Sequence, residues 1–317
     1  MLPLQLPAML VLLLLELLLP LALALWLAVR PLAGRFPHAM QILATGLVLL
    51  ALTFVGIWPA WWLPWAYWLI FAAALLAGLR SAAGRGRSPR RRLTWIAAAL
   101  LAVAGAAAGF QVLQAIAGRA APSEPAIDLR FPLRDGRFYV VNGGFSESIS
   151  SHMATIARAT PRQRAYYGQS FAVDLVKVGP WGFTARGLLP RDPARYAIFG
   201  APIFAPCSGR VIQAVDGLPD MPVPRMDPAH MAGNHVLVRC GRADILLAHM
   251  RRSSVRVRPG QSVRTGDRLG EVGNSGNTSL PHLHIHAQTP GTEREPLSGA
   301  PIPMRFGGRF LLRGDRP

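Results

Sequence analysis

Lysine is almost missing from this sequence. Lys177 is the only one, and arginine supplies all the rest of the 34 basic side chains. Acids are as uneven: across the first 117 residues the only one is Glu16. Cysteine is limited to Cys207 and Cys240. Two thiols with no paired Cys/His spacing cannot make a zinc finger. There is also no aromatic-interleaved basic motif and no Lys/Arg-rich arm, so nucleic acid is not expected as a partner. The N-terminus lacks the basic residues that open a secretory signal, and the apolar run behind it exceeds the usual 7–15 residues. It reads as a retained membrane span. No internal repeat is present.

What the sequence does have divides it in two. It is 51% hydrophobic, yet its formal net charge is +18 over 317 residues. Residues 1–117 are predominantly apolar. Residues 120–317 are mixed in composition, with 24 Arg and one Lys against 15 acids. A basic surface of that kind fits an anionic partner, such as an envelope polymer or lipid head groups.

Four apolar stretches approach the roughly 20 residues needed to cross a bilayer. They fall near 8–29, 39–57, 60–79 and 94–115. Trp58, Trp61, Trp62 and Trp65, with Pro59 and Pro64, mark an interfacial turn between the second and third. The loop after the first span carries Arg30 and Arg35. The loop after the third carries Arg80, Arg85, Arg87, Arg90, Arg91 and Arg92. Positive loops stay inside. The N-terminus and the C-terminal part are therefore expected on the outer side of the membrane, with the lipid bilayer as a partner. Glu16, an acid within the first span, has no role assigned.

Residues 118–128 read as a linker with two prolines, and 129–317 as a β domain. Short β-prone runs separated by Gly/Pro turns occur at 137–141, 169–176, 202–207, 210–215, 235–240 and 245–249. Asp174 sits within one of them. An acid in an apolar strand is costly to bury unless it is paired or binds a metal, and the alternative is a solvent-facing position. Cys207 and Cys240 also fall in strands outside the cytoplasm, where disulfides persist. Either a bond between them or two buried thiols would fit.

The densest signal is Gly273-Asn274-Ser275-Gly276-Asn277-Thr278-Ser279-Leu280-Pro281-His282-Leu283-His284-Ile285-His286. A small, polar loop leads into three histidines at alternate positions. On a strand, residues two apart share a face, at roughly 7 Å between Cα atoms. Two of these imidazoles can meet on one metal ion. The outer pair, roughly 13 Å apart, cannot easily do so. Spacing alone leaves open which pair would bind.

These residues, together with Leu247-Ala248-His249-Met250, Ala172-Val173-Asp174, Gly233-Asn234-His235-Val236 and the run 257–267, resemble the lysostaphin-like (LytM-type) zinc metallopeptidases of bacterial cell walls. The resemblance spans roughly 137–290 and excludes the membrane half. It implies an antiparallel β domain with one Zn2+ in a groove, following the α-helical transmembrane region read from the apolar stretches. Carried over by motif, His284 and Asp174 are metal ligands, His249 and His282 are catalytic, and His286 is an extra neighbour. One departure stands out. The family's H-x-x-x-D motif would put a histidine at the position of Ser170. His152, upstream in the same domain, is expected to supply that ligand instead. His230 and His235 are read as structural.

The implied activity is that of a membrane-anchored zinc metalloendopeptidase hydrolysing peptide bonds, with peptidoglycan or another peptide as substrate. Such a zinc keeps three protein ligands and an open position for water, and a histidine takes the proton. Ser170 supports an alternative: a non-catalytic scaffold on the same fold that binds cell wall or activates another hydrolase.

Overall fold

The computed structural model describes residues 5–83, 91–292 and 294–317. Arg85, Arg87 and Arg90 of the basic loop lie outside the described residues. The chain divides into two compact units, one of Pro7–Ile116 and one that takes in Ala117–Pro317.

The first unit consists of α1 (Gln5–Val29), α2 (Arg35–Val55), α3 (Leu63–Ala83) and α4 (Arg91–Ala117). All four are long and apolar enough to cross a membrane. The helices do not end where the apolar runs do. α3 starts after the Trp61-Trp62 turn, carries Pro64 in its first turn where a missing N–H is tolerated, and continues through alanines to Ala83. Leucines such as Leu12 and Leu25 are exposed, as a lipid-facing surface requires. Several polar groups turn inward and are bonded. Gln41 Oε1 accepts from Leu32 N at 2.9 Å, and Thr45 Oγ1 donates to Gln41 O at 2.7 Å. Trp58 is fully buried, with its indole N–H on Leu52 O at 3.1 Å. Tyr67 donates to Leu17 O at 2.8 Å. Glu16 lies against Gly56, where a side chain would collide with its carboxylate.

The second unit is built on β1 (Ile127–Leu129), β2 (Arg137–Asn142), β3 (Val173–Val178), β4 (Pro202–Phe204), β5 (Gly209–Val215), β6 (Asn234–Cys240), β7 (Ala243–Met250), β8 (Ser262–Val263), β9 (Arg268–Glu271), β10 (Leu283–Gln288), β11 (Pro301–Ile302), β12 (Met304–Phe306) and β13 (Arg309–Phe310). The stretch 118–128 expected as linker ends in a strand. Ile127 and Leu129 pair in parallel with β12, and Asp128 between them accepts from Arg305 Nη2 at 2.6 Å. The main sheet is antiparallel, in the order β2-β3-β10-β7-β6-β5-β8, with β11 paired to β10. β10 thus lies between β3 and β7 in the middle of the sheet.

Alternation along these central strands sorts the side chains. Val173, Leu175, Ile245, Leu247, Leu283 and Ile285 enter one core with Val236, Val238, Ile203 and Leu269. The opposite face of the same strands carries Asp174, Leu246, Ala248, His284 and His286. A one-residue slip would exchange the two sets, so core burial fixes the register of the polar face. Cys207 and Cys240 are joined by a disulfide across a sequence separation of 33 residues, which ties the entry to β5 to the end of β6.

Candidate metal and catalytic centre

The site starts from strand register. His284 pairs with Asp174 on one side and with Ala248 on the other. Directly opposed residues share a face, so His284 Nδ1 lies 3.0 Å from Asp174 Oδ1. His282, two residues earlier, brings its Nε2 to 3.5 Å from the same oxygen. The other carboxylate oxygen meets His152. That residue sits on a 3-10 turn, Ser151–Ala157, and its Nε2 lies 2.9 Å from Asp174 Oδ2.

His249 follows Ala248, so regular alternation would turn it away from the site. Its φ of 61° puts it in the left-handed region instead, unusual for a bulky residue. The ring lies 4.8 Å from that of His282 and 5.8 Å from that of His284. Backbone strain of this kind clusters at functional sites.

Two overlapping sets emerge among the described residues, His152 with Asp174 and His284, and His249 with His282 and His284. In each set the donor atoms lie within 4.8 Å of one another. All five residues expected from the sequence therefore share one cleft of about 290 Å³. His230 and His235 are bonded elsewhere. His230 Nδ1 meets Asp227 Oδ2 at 2.7 Å, and His235 Nδ1–H donates to Gly233 O at 2.7 Å.

The loop ahead of β10 holds the site without offering ligands. Asn274 and Ser275 are fully buried. Asn274 N donates to Asp220 Oδ1 at 2.7 Å, and Ser275 Oγ donates to Met250 O at 2.6 Å. Gly276, at φ 85°, is packed so that a side chain would strike Gly233 and His230. Carbonyl oxygens only accept, so the rings they meet must donate. His249 Nδ1–H donates to Ser275 O at 2.9 Å, and His282 Nδ1–H donates to Leu280 O at 2.8 Å. In its neutral form each ring therefore turns a bare Nε2 towards the cleft.

Ser170 is fully buried and bonded elsewhere: its Oγ donates to Tyr167 O and lies 2.8 Å from Thr155 Oγ1. Thr155 in turn donates to His152 O at 2.8 Å. The residue in the family's ligand position here braces the turn that carries His152. Asn142, at the end of β2, donates to Asp174 Oδ2 at 2.9 Å. Arg313 Nη2 holds Asn142 from behind at 2.6 Å.

The electrostatics suit a cation. Asp174 is buried. Burial alone would raise its pKa, but the facing imidazoles of His152, His282 and His284 hold it well below the ordinary carboxylate range. Burial pushes His284 down to about 4 despite the neighbouring carboxylate. Burial also depresses His249, helped by His282 and His284. Metal ligands must be unprotonated, and these rings stay neutral at physiological pH. The donor set of two imidazoles and a carboxylate fits a catalytic zinc.

An antiparallel β domain with a buried His/Asp centre in a cleft has the architecture of a metallopeptidase. Residues 195–296 match the model of peptidase family M23. That stretch includes His249, His282 and His284, and leaves out His152 and Asp174. A Haemophilus influenzae protein described as an uncharacterized metalloprotease is 31% identical over 99 residues, covering 31% of this chain and 18% of its own length. The chain thus spans under a fifth of that relative. Among solved structures, the catalytic domain of the antimicrobial peptidase lysostaphin from Staphylococcus simulans is similar at 22% identity and a TM-score of 0.24, covering 31% of this chain and 65% of that one. Csd3 from Helicobacter pylori is similar at 19% identity and a TM-score of 0.29, covering 59% of this chain and 37% of its own. The chain carries a peptidase M23, lysostaphin-like domain at its C-terminal end, behind four candidate membrane helices.

Proposed function

We propose that this protein is a membrane-anchored zinc metalloendopeptidase that hydrolyses peptide bonds of peptidoglycan on the outer side of the bacterial cytoplasmic membrane. The observation that carries this reading is the convergence of three imidazoles, those of His152, His282 and His284, on the buried carboxylate of Asp174, with the His249 ring 4.8 Å from that of His282. His152, Asp174 and His284 would hold the ion. When bound, zinc supplies Lewis-acid polarisation of a carbonyl and an acidified water. The rest of the chemistry falls to the chain. His249 and His282, each anchored through Nδ1 to a carbonyl, offer Nε2 to take a proton from the attacking water. The same nitrogen, once protonated, can donate to the oxyanion or to the leaving amine. Asn142 keeps Asp174 oriented, and the Thr155–Ser170 pair keeps the His152 turn in place.

The basic character of residues 120–317 supports an anionic, wall-associated substrate. The arginines flanking the apolar helices support an outward-facing domain. The test is direct. The full chain, purified in detergent, should contain about one equivalent of zinc and should release peptides from isolated peptidoglycan. Zinc without hydrolysis would favour the scaffold reading that Ser170 raises, and absence of both would remove the metallopeptidase reading.

A further inference from the structure

A buried chain of hydrogen bonds runs away from the site along β10. His284 Nε2 lies 3.0 Å from His286 Nδ1. His286 Nε2 lies 3.2 Å from Gln288 Oε1. Gln288 Nε2 lies 2.6 Å from Pro296 O. All three side chains are buried. Because β10 side chains alternate, the three share the face that carries Asp174.

The last contact orders the rest. Pro296 O can only accept, so the Gln288 atom that meets it is the amide nitrogen. Gln288 Oε1 then faces His286 and can only accept, so His286 Nε2 carries a hydrogen. A neutral His286 is therefore bare at Nδ1 and accepts from His284 Nε2–H. That leaves His284 Nδ1 unprotonated, 3.0 Å from the carboxylate of Asp174. Two acceptors face each other there, an arrangement that only a cation between or beside them makes favourable. Space for the chain is built in. A side chain on Gly168 would collide with the Gln288 amide, and Gly168 N donates to Leu297 O at 3.3 Å, next to Pro296.

We propose that His286 and Gln288 are positioning residues that fix the His284 hydrogen on Nε2 and so present Nδ1 to the metal as a lone pair. This rests on the zinc reading above. It adds that the ligand geometry is set from a backbone carbonyl 12 residues further along the chain than His284. Partners behind a ligating histidine typically contribute about 10- to 100-fold in metal affinity.

The test uses the full chain in detergent, with zinc alone as the probe. In zinc-loaded wild-type protein labelled with 15N-histidine, the His284 ring should carry its hydrogen on Nε2 and none on Nδ1. His286→Phe, which keeps a ring but removes the acceptor, should bind zinc at least about tenfold more weakly. His286→Asn, which returns an acceptor oxygen near the Nδ1 position, should recover most of that loss. Thermal unfolding of the metal-free variants reports whether they fold. A hydrogen on His284 Nδ1 in the wild type overturns the proposal, as does a folded His286→Phe with wild-type zinc affinity. If His286→Phe fails to fold, the wild-type nitrogen signals and His286→Asn decide. Wild-type protein that takes up no zinc removes the metal reading and this proposal with it, whereas zinc uptake with a hydrogen on His284 Nδ1 overturns this proposal alone.

Discussion

Removing the imidazole of His152 would leave Asp174 Oδ2 held by Asn142 Nδ2 at 2.9 Å, and would take away one of the three proposed ligands. His152→Ala should therefore lower zinc affinity by about tenfold or more and abolish hydrolysis, with an unchanged circular dichroism spectrum. Undiminished zinc in that variant would remove His152 from the site. Ser170→His does not offer a replacement ligand. The position is fully buried and faces Thr155, so the larger ring would overpack the turn at a cost of about 1–3 kcal/mol, read as a lower thermal midpoint. The remaining histidines separate by role. His284→Ala should lose zinc, whereas His249→Ala should retain it and lose turnover. If both kept metal and activity, these assignments would be wrong. At this scale the sequence was informative wherever chemistry follows spacing. The alternate histidines at 282, 284 and 286 announce a shared strand face before any coordinates. The contribution of Asn142 could not be read, because it depends on a side chain reaching across from a neighbouring strand. The aim of His249 could not be read either, because it depends on one left-handed φ.

Histidine burial is a property of adjoining strands. β6 contributes His235, β7 His249, and β10 both His284 and His286. Burial lowers the pKa of all four from 6.5. Well above that value both folded and unfolded chains hold these rings neutral, and stability does not depend on them. Below it the unfolded chain takes up protons that the folded strands refuse. Metal-free protein should therefore lose stability steadily from about pH 7 to about pH 5. Asp174 acts in a different window. Its folded pKa lies well below 3.8, so its contribution persists through that range and fades only in stronger acid. Thermal midpoints in chelator across the range would check this, and a rise towards acid would count against the buried, neutral arrangement. The strands themselves were legible as short alternating runs between turns. Their order was not, since β10 joins β3 and β7 through pairings more than a hundred and some forty residues apart in sequence, which no local pattern records.

For the whole molecule the open quantity is orientation. From the arginine distribution we propose that 80–92 lie inside and the C-terminal domain outside. Single substitutions Gly86→Cys and Arg309→Cys should behave oppositely towards an impermeant thiol reagent in spheroplasts, with only the second labelled. Labelling at 86 with protection at 309 would invert the topology. The background is clean because Cys207 and Cys240 are already joined to each other. That bond also makes the fold a reporter of its own compartment. A crosslink across 33 residues restricts the unfolded chain by about 3–4 kcal/mol, a sizeable share of a domain's stability. A copy threaded the wrong way round would meet the thiol-reducing cytosol and fold without that crosslink. It would be the more fragile isomer, and proteases would clear it first. On the proposed orientation, the disulfide would form only in the domain delivered to an oxidising compartment.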